Sequence, residues 1–197
     1  QLGYQPNLAA RSLVSGRTKT IWFIIPSLPS YYELELAKNA SQMCIKKSYD
    51  LLLAMHHNQS EIYLRLLERL SQGAADAALI IASAIEKSKE VNKQLNLISK
   101  SKIPLVFLDR HVSTITAPVV TTHNEKGSRT LFEKCYEQGA RHFILVFNPK
   151  TQPLMMRLKG VRNAAKKFQV THEIIDGDEM KVKTKKFSSK VAIIANG

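Results

Sequence analysis

Ile21-Trp22-Phe23-Ile24-Ile25 is an unbroken apolar run that stops at Pro26. A run so short, apolar at every position and closed by a residue without an amide hydrogen, reads as a strand buried on both faces. The loop Pro26-Ser27-Leu28-Pro29-Ser30 follows it. Leu34, Ala37, Ala40 and Cys44 then recur at intervals of three and four, which predicts an amphipathic helix over about 31–47. The alternation continues with a strand from Leu51 to Ala54, a helix carrying Ile62, Leu66 and Leu70, and a strand from Ala77 to Ala82. A helix with Val91, Leu95 and Ile98 and a strand from Leu105 to Leu108 complete this series. Strands that alternate with helices form a parallel sheet, so the fold class is α/β.

Val119 and Val120 make one more short strand, and the rhythm restarts near Thr122. A helix with Leu131 and Cys135 leads to a strand from Phe143 to Phe147. The stripe Leu154, Leu158, Val161, Ala165 and Phe168 marks the best-patterned helix of the chain. A weak strand around 170–175, a lysine-rich polar stretch over 176–190 and a last apolar run from Val191 to Ala195 follow. The restart predicts two lobes, 17–121 and 122–197. A second sheet with so few members and an open edge leads to the expectation that the second lobe is incomplete.

The 197 residues are 44% hydrophobic and 23% charged, ordinary for a globular protein. No window approaches the ~20 apolar residues of a membrane span, and the amino end lacks a basic-then-apolar leader pattern, so a cytoplasmic protein is expected. Cys44 and Cys135 lack CxxC spacing and read as reduced core thiols. The formal charge of +13 points towards a polyanion. Between 150 and 190 eleven Lys and Arg stand against four Asp and Glu, a run that reads as a solvated surface.

The first 16 residues are of another kind. Pro6 precedes Asn7, a good helix N-cap, and Gly16 supplies a stop. That leaves about nine helical positions, below the ~12 to 15 at which an isolated helix becomes marginal in water. Such a segment needs a partner to fold against. An apolar Leu13 near Arg11 and the small Ala10 is the equipment of a minor-groove wedge, in which an apolar tip unstacks a base step beside phosphates.

The run Leu2-Gly3-Tyr4-Gln5-Pro6-Asn7 with Ala10-Arg11-Ser12-Leu13 resembles the hinge of the LacI/GalR family of transcription regulators. There the hinge joins a helix-turn-helix head to an effector-binding core. The resemblance extends along nearly the whole chain. Tyr31-Tyr32 stands where such cores carry an aromatic pair, Leu108-Asp109-Arg110 matches their Leu-Asp-Arg, and His123-Asn124-x-x-Gly127 matches Asp-Asn-x-x-Gly. Arg157-Leu158-x-Gly160 is similar to the Arg-x-x-Gly that holds the family's effector-clamping arginine.

The resemblance implies a two-lobed, periplasmic-binding-protein-like core of type I. It implies a regulator, most simply a repressor, acting as a homodimer on operator DNA under control of a small effector such as a sugar. Asn7, Ala10, Arg11 and Leu13 would meet DNA. Ser27, Tyr31, Tyr32, Asp109, Arg110, His123, Arg157 and Asn196 would line the effector site between the lobes, with aromatic rings against the apolar face of a sugar and polar groups at its edges. His123 replaces the family's aspartate, and Gly197 stands where an aspartate is expected after Asn196. These departures point to an unusual effector or none.

A solute-binding protein of a transport system shares the core and is the alternative. Enzyme readings fare poorly, because GxGxxG, a phosphate-binding loop ending in Lys-Ser or Lys-Thr, and a G-x-S-x-G elbow are all missing. No cofactor or metal is expected. His56-His57 reads as a solvated pair, since neighbours at a strand end point opposite ways and no spaced ligand joins them.

Overall fold

The computed structural model describes residues 14–28, 31–147, 151–176 and 191–195. Asn7, Ala10, Arg11 and Leu13, expected to meet DNA, and Asn196 at the other end lie outside the described residues. The chain divides into two compact units, Gln1–Thr121 and Thr122–Gly197.

The first unit is built on five parallel strands: β1 (Thr20–Ile25), β2 (Asp50–Met55), β3 (Ala77–Ile80), β4 (Leu105–Leu108) and β5 (Val119–Val120). Their order across the sheet is β2-β1-β3-β4-β5. The apolar run therefore occupies an interior strand, and Phe23, Ile24 and Ile25 are fully buried. Alternate residues supply two cores. Trp22 and Ile24 pack with Ala78, Ile80 and Phe107 beneath the helices α2 (Ser60–Ser71) and α3 (Lys89–Ser99). Phe23 and Ile25 face the other way, towards Leu36 and Ala37 of α1 (Tyr31–Lys46).

Two helices present a different stripe from the one the periodicity suggests. In α2 the fully buried positions are Tyr63, Leu67 and Leu70, one step round from Ile62 and Leu66. The helix has two adjoining apolar rows, and the one carrying the larger tyrosine is turned inward. In α1 Leu34 is exposed, because Leu36 and Ala37 meet the sheet in its place.

The inward Tyr63 also overturns the solvated reading of the histidine pair. His56 is fully buried and stacks on the Tyr63 ring at 4.4 Å and 8°. Its Nδ1 accepts from the amide of Asn58 at 3.2 Å, while His57 is exposed. Burial, with a smaller contribution from the His57 charge, pushes the His56 pKa down to about 4 from 6.5. The unfolded chain then takes up a proton that the folded chain refuses, so stability present above pH 6.5 is lost as pH falls towards 4, by up to about 3 kcal/mol. Glu86, also buried, has its pKa raised by burial and works in the opposite direction. Urea unfolding of His56→Phe at pH 7 and pH 4.5 should show a smaller acid loss than wild type by about 2 kcal/mol. Equal losses would place the acid sensitivity elsewhere.

The second unit has three parallel strands, β6 (His142–Phe147), β7 (His172–Asp176) and β8 (Val191–Ala195), ordered β7-β6-β8. The helices α4 (Asn124–Glu137) and α5 (Gln152–Phe168) pack together on one face. Phe132, stacked on Phe143 with ring centroids 3.8 Å apart, joins Leu145, Leu158, Val161, Ala164, Ala165 and Ile194 in the core. The stripe Leu158, Val161, Ala165 is buried as its spacing predicts. Among the described residues no helix is long and apolar enough to cross a membrane.

Candidate functional site

In the first unit the chain moves from β1 outward to β2 on one side and to β3 on the other. The loops leaving the carboxyl ends of β1 and β3 therefore diverge, and such a switch point is where open parallel sheets bind ligands. The predicted residues Ser27, Tyr31, Tyr32, Asp109 and Arg110 all stand at this end of the sheet, after β1 and after β4.

The structure joins three of them. Asp109 is buried and takes a left-handed φ of 64°, held by its amide donating to the Val120 carbonyl at 2.8 Å. That turn aims its carboxylate at two donors. The Tyr32 hydroxyl lies 3.4 Å from Oδ1, and Arg110 Nε lies 3.2 Å from Oδ2. Arg110 Nη1 reaches on to the Ala82 carbonyl at the end of β3, 3.4 Å away. One buried carboxylate thus ties the start of α1 to the ends of β3 and β4. Each oxygen accepts one hydrogen bond, so the carboxylate supports Tyr32 and Arg110 and keeps acceptor capacity of its own. A ligand would meet the Tyr32 ring and the guanidinium that Asp109 orients.

Tyr31 is 75% exposed at the start of α1. Ser27 is half-buried in the loop after β1 and makes no hydrogen bond to Tyr32, Asp109 or Arg110.

In the second unit Arg157 and Asn124 meet. Arg157 Nε donates to Asn124 Oδ1 at 2.7 Å, which fixes the guanidinium plane at the amino end of α4. The Arg157 carbonyl accepts from Ser128 Oγ at 2.7 Å. These contacts require α4 and α5 to lie very close, and Gly160 provides the room. A Cβ there would collide with the Glu125 carbonyl oxygen and Ser128 Oγ. His123 caps α4 from an exposed position without a side-chain cap bond. Asn124 and Gly160 thus place Arg157, although the sequence presents them only as parts of motifs. Among the described residues no group of three or more His, Cys, Asp or Glu could hold a metal ion.

No protein-family model matches the chain. It is similar to the ribose operon repressor of Halalkalibacterium halodurans, 27% identical over 179 residues that cover 90% of this chain and 51% of that protein. It is also similar to catabolite control protein A of Priestia megaterium, 24% identical over 83% of this chain and 48% of that one. The chain therefore spans about half the length of the curated relatives it matches. Among solved structures it shares its fold with a periplasmic binding protein/LacI transcriptional regulator from Alkaliphilus metalliredigens complexed with D-xylulofuranose. That match has a TM-score of 0.64 and 21% identity, over 84% of this chain and 59% of that one. The Cra dual regulator of Pseudomonas putida, complexed with fructose 1-phosphate, matches with a TM-score of 0.65 and 19% identity, over 81% and 58%. In sequence along most of its length this chain is a homologue of the ribose operon repressor and catabolite control protein A, and in fold it matches solved LacI-family regulators with a periplasmic-binding-protein-like core.

Proposed function

We propose that the chain is the hinge and part of the core of a cytoplasmic, dimeric transcriptional repressor that binds operator DNA and responds to a sugar or related metabolite. The observation that carries this reading is the Tyr32–Asp109–Arg110 network at the switch point, an aromatic face beside an oriented guanidinium. Rings over the apolar face of a sugar and charged groups at its hydroxyls are how such ligands are held. Arg157 with Asn124 is the second group of effector residues, joined by Ser27, Tyr31, His123 and Asn196. The names of the sequence relatives, a repressor and a catabolite control protein, favour a regulator over a transport binding protein.

An effector that prefers one arrangement of the two units biases the protein towards it. Spacing of the paired hinge segments is then the quantity that DNA reads. The exposed edge strand β2, with Leu52 at 42%, Leu53 at 37% and Met55 at 38% exposure, offers the second copy an apolar surface. Hinge residues Asn7, Ala10, Arg11 and Leu13 act in the minor groove, and the protein turns over no substrate.

Thermal-shift screening of sugars, sugar phosphates and nucleobases tests the effector half of this reading. A true effector at 100 times its Kd should add about 2.7 kcal/mol of stability. If a sugar stabilises Tyr32→Ala and Asp109→Ala as much as wild type, the site lies elsewhere.

A further inference from the structure

The amino edge of the first unit, the end of its sheet opposite Tyr32, Asp109 and Arg110, carries an unusual share of its charge. Arg17, Lys19, Lys46, Lys47, Lys100 and Lys102 all precede strands at this edge or close the helices that return to it. All six are exposed, and none forms an ion pair with a carboxylate among the described residues. Arg69 adds a seventh cation, held over the Trp22 ring at 5.4 Å.

Carboxylates at the same edge are few. Asp50 and Glu68 are two of them, and Asp76 spends its charge internally. Asp76 Oδ1 accepts from the amide of Thr18 at 2.6 Å and from its hydroxyl at 2.9 Å, and Oδ2 accepts from the amide of Lys19 at 3.2 Å. This clamp fixes the residues that lead from the hinge segment into β1. Beside it is a hollow of about 490 Å³ with Arg17, Tyr49 and Lys102 in its wall. Lys46 and Lys100 end helices, where a cation offsets the negative carbonyl end. Arg17, Lys19 and Lys102 stand in loops and have no helix end to answer. At the carboxyl edge, by contrast, Glu33, Glu86, Glu90 and Asp109 mix with the cations.

We propose that this amino edge is a sequence-independent contact surface for duplex DNA, its cations facing the phosphate backbone beside the point where the hinge segment leaves the core. The inference rests on the proposed DNA-binding function and extends it from the hinge to the body of the protein. Its physical basis is counterion release, which depends on the number of phosphates met and on no base identity. The Asp76 clamp gives the surface a fixed relation to the hinge.

The test is the salt dependence of binding of the intact protein to a duplex of random sequence. Lys19→Gln/Lys47→Gln/Lys102→Gln is compared with Lys87→Gln/Lys89→Gln/Lys93→Gln, which removes equal charge away from this edge. The edge triple should make the slope of log K against log salt shallower by about 2 to 3 and weaken binding at least about tenfold at 0.1 M salt, while the control triple stays near wild type. If the edge triple does not fold, Lys46→Gln/Lys47→Gln/Lys100→Gln, which spares the Lys19 ring contact with Tyr49, is read the same way. Equal behaviour of edge and control triples would overturn the proposal and leave the hinge reading standing. An edge triple that loses binding to phosphatidylserine vesicles and keeps its DNA slope would overturn it in favour of a membrane surface. A wild-type protein that binds no duplex would remove both this inference and the regulator reading.

Discussion

Alanine at Gly160 is expected to destabilise the 122–197 unit by about 3 kcal/mol or more, although helix propensity alone argues for a gain of about 1 kcal/mol. Gly160 lies inside α5, where an added methyl group ordinarily stabilises the helix by reducing the freedom of the unfolded chain. The deciding term is steric. The new Cβ would meet the backbone oxygen of Glu125, and a helix carbonyl cannot swing aside as a flexible side chain can. Separating α4 from α5 would loosen Phe132, Leu158 and Val161, which share one core, and would break the Ser128 hydroxyl bond to the Arg157 carbonyl. Denaturant unfolding followed by a probe in this unit measures the effect. A Gly160→Ala protein as stable as wild type would mean that the helices do not approach as described.

Arg157→Ala should leave folding intact and lower effector affinity about 100-fold, the equivalent of about 2.7 kcal/mol. The side chain is half-buried, so its removal opens no core cavity. What is lost is a charged fork whose plane Asn124 sets through a 2.7 Å bond. Arg157→Lys should rescue poorly, because an ammonium cannot reproduce two parallel donors. Titration calorimetry with a compound found by thermal shift gives the comparison. An Arg157→Ala affinity within threefold of wild type would remove the arginine from the site.

The strand order of the fold was not legible, but the strands themselves were. The run Ile21–Ile25 announces itself because an interior strand of a parallel sheet is buried on both faces, and Val191–Ala195 is legible as an apolar run although it forms an edge strand with Ile193 exposed. Helix faces were harder where apolar residues lie on more than one row. In α4 the periodicity picks Leu131 and Cys135, whereas Phe132 fills the core and Leu131 is 49% exposed. The aromatic ring wins because its stacking partner Phe143 sits in the central strand. In α3, with a single apolar row, Val91, Leu95 and Ile98 are buried as expected.

The candidate site shows a similar division. Asp109 and Arg110 are visible as a strand-end pair. That Asp109 supports Tyr32, however, depends on a left-handed turn no local pattern reveals at a non-glycine residue. His56 misleads for a related reason: its burial is decided by Tyr63, seven positions away on the next helix. Motif similarity could point to Arg157, but only the packing at Gly160 explains how it is held.

The most direct measurement is selection of duplexes from a randomised pool by the intact protein, repeated with Leu13→Ala. The expected result is enrichment of an inverted repeat whose two halves mirror a two-fold dimer, centred on an easily unstacked pyrimidine–purine step. In Leu13→Ala the preference at that central step should fade while the flanking halves persist. A pool that stays unenriched at every salt concentration, or a central preference indifferent to Leu13, would contradict it.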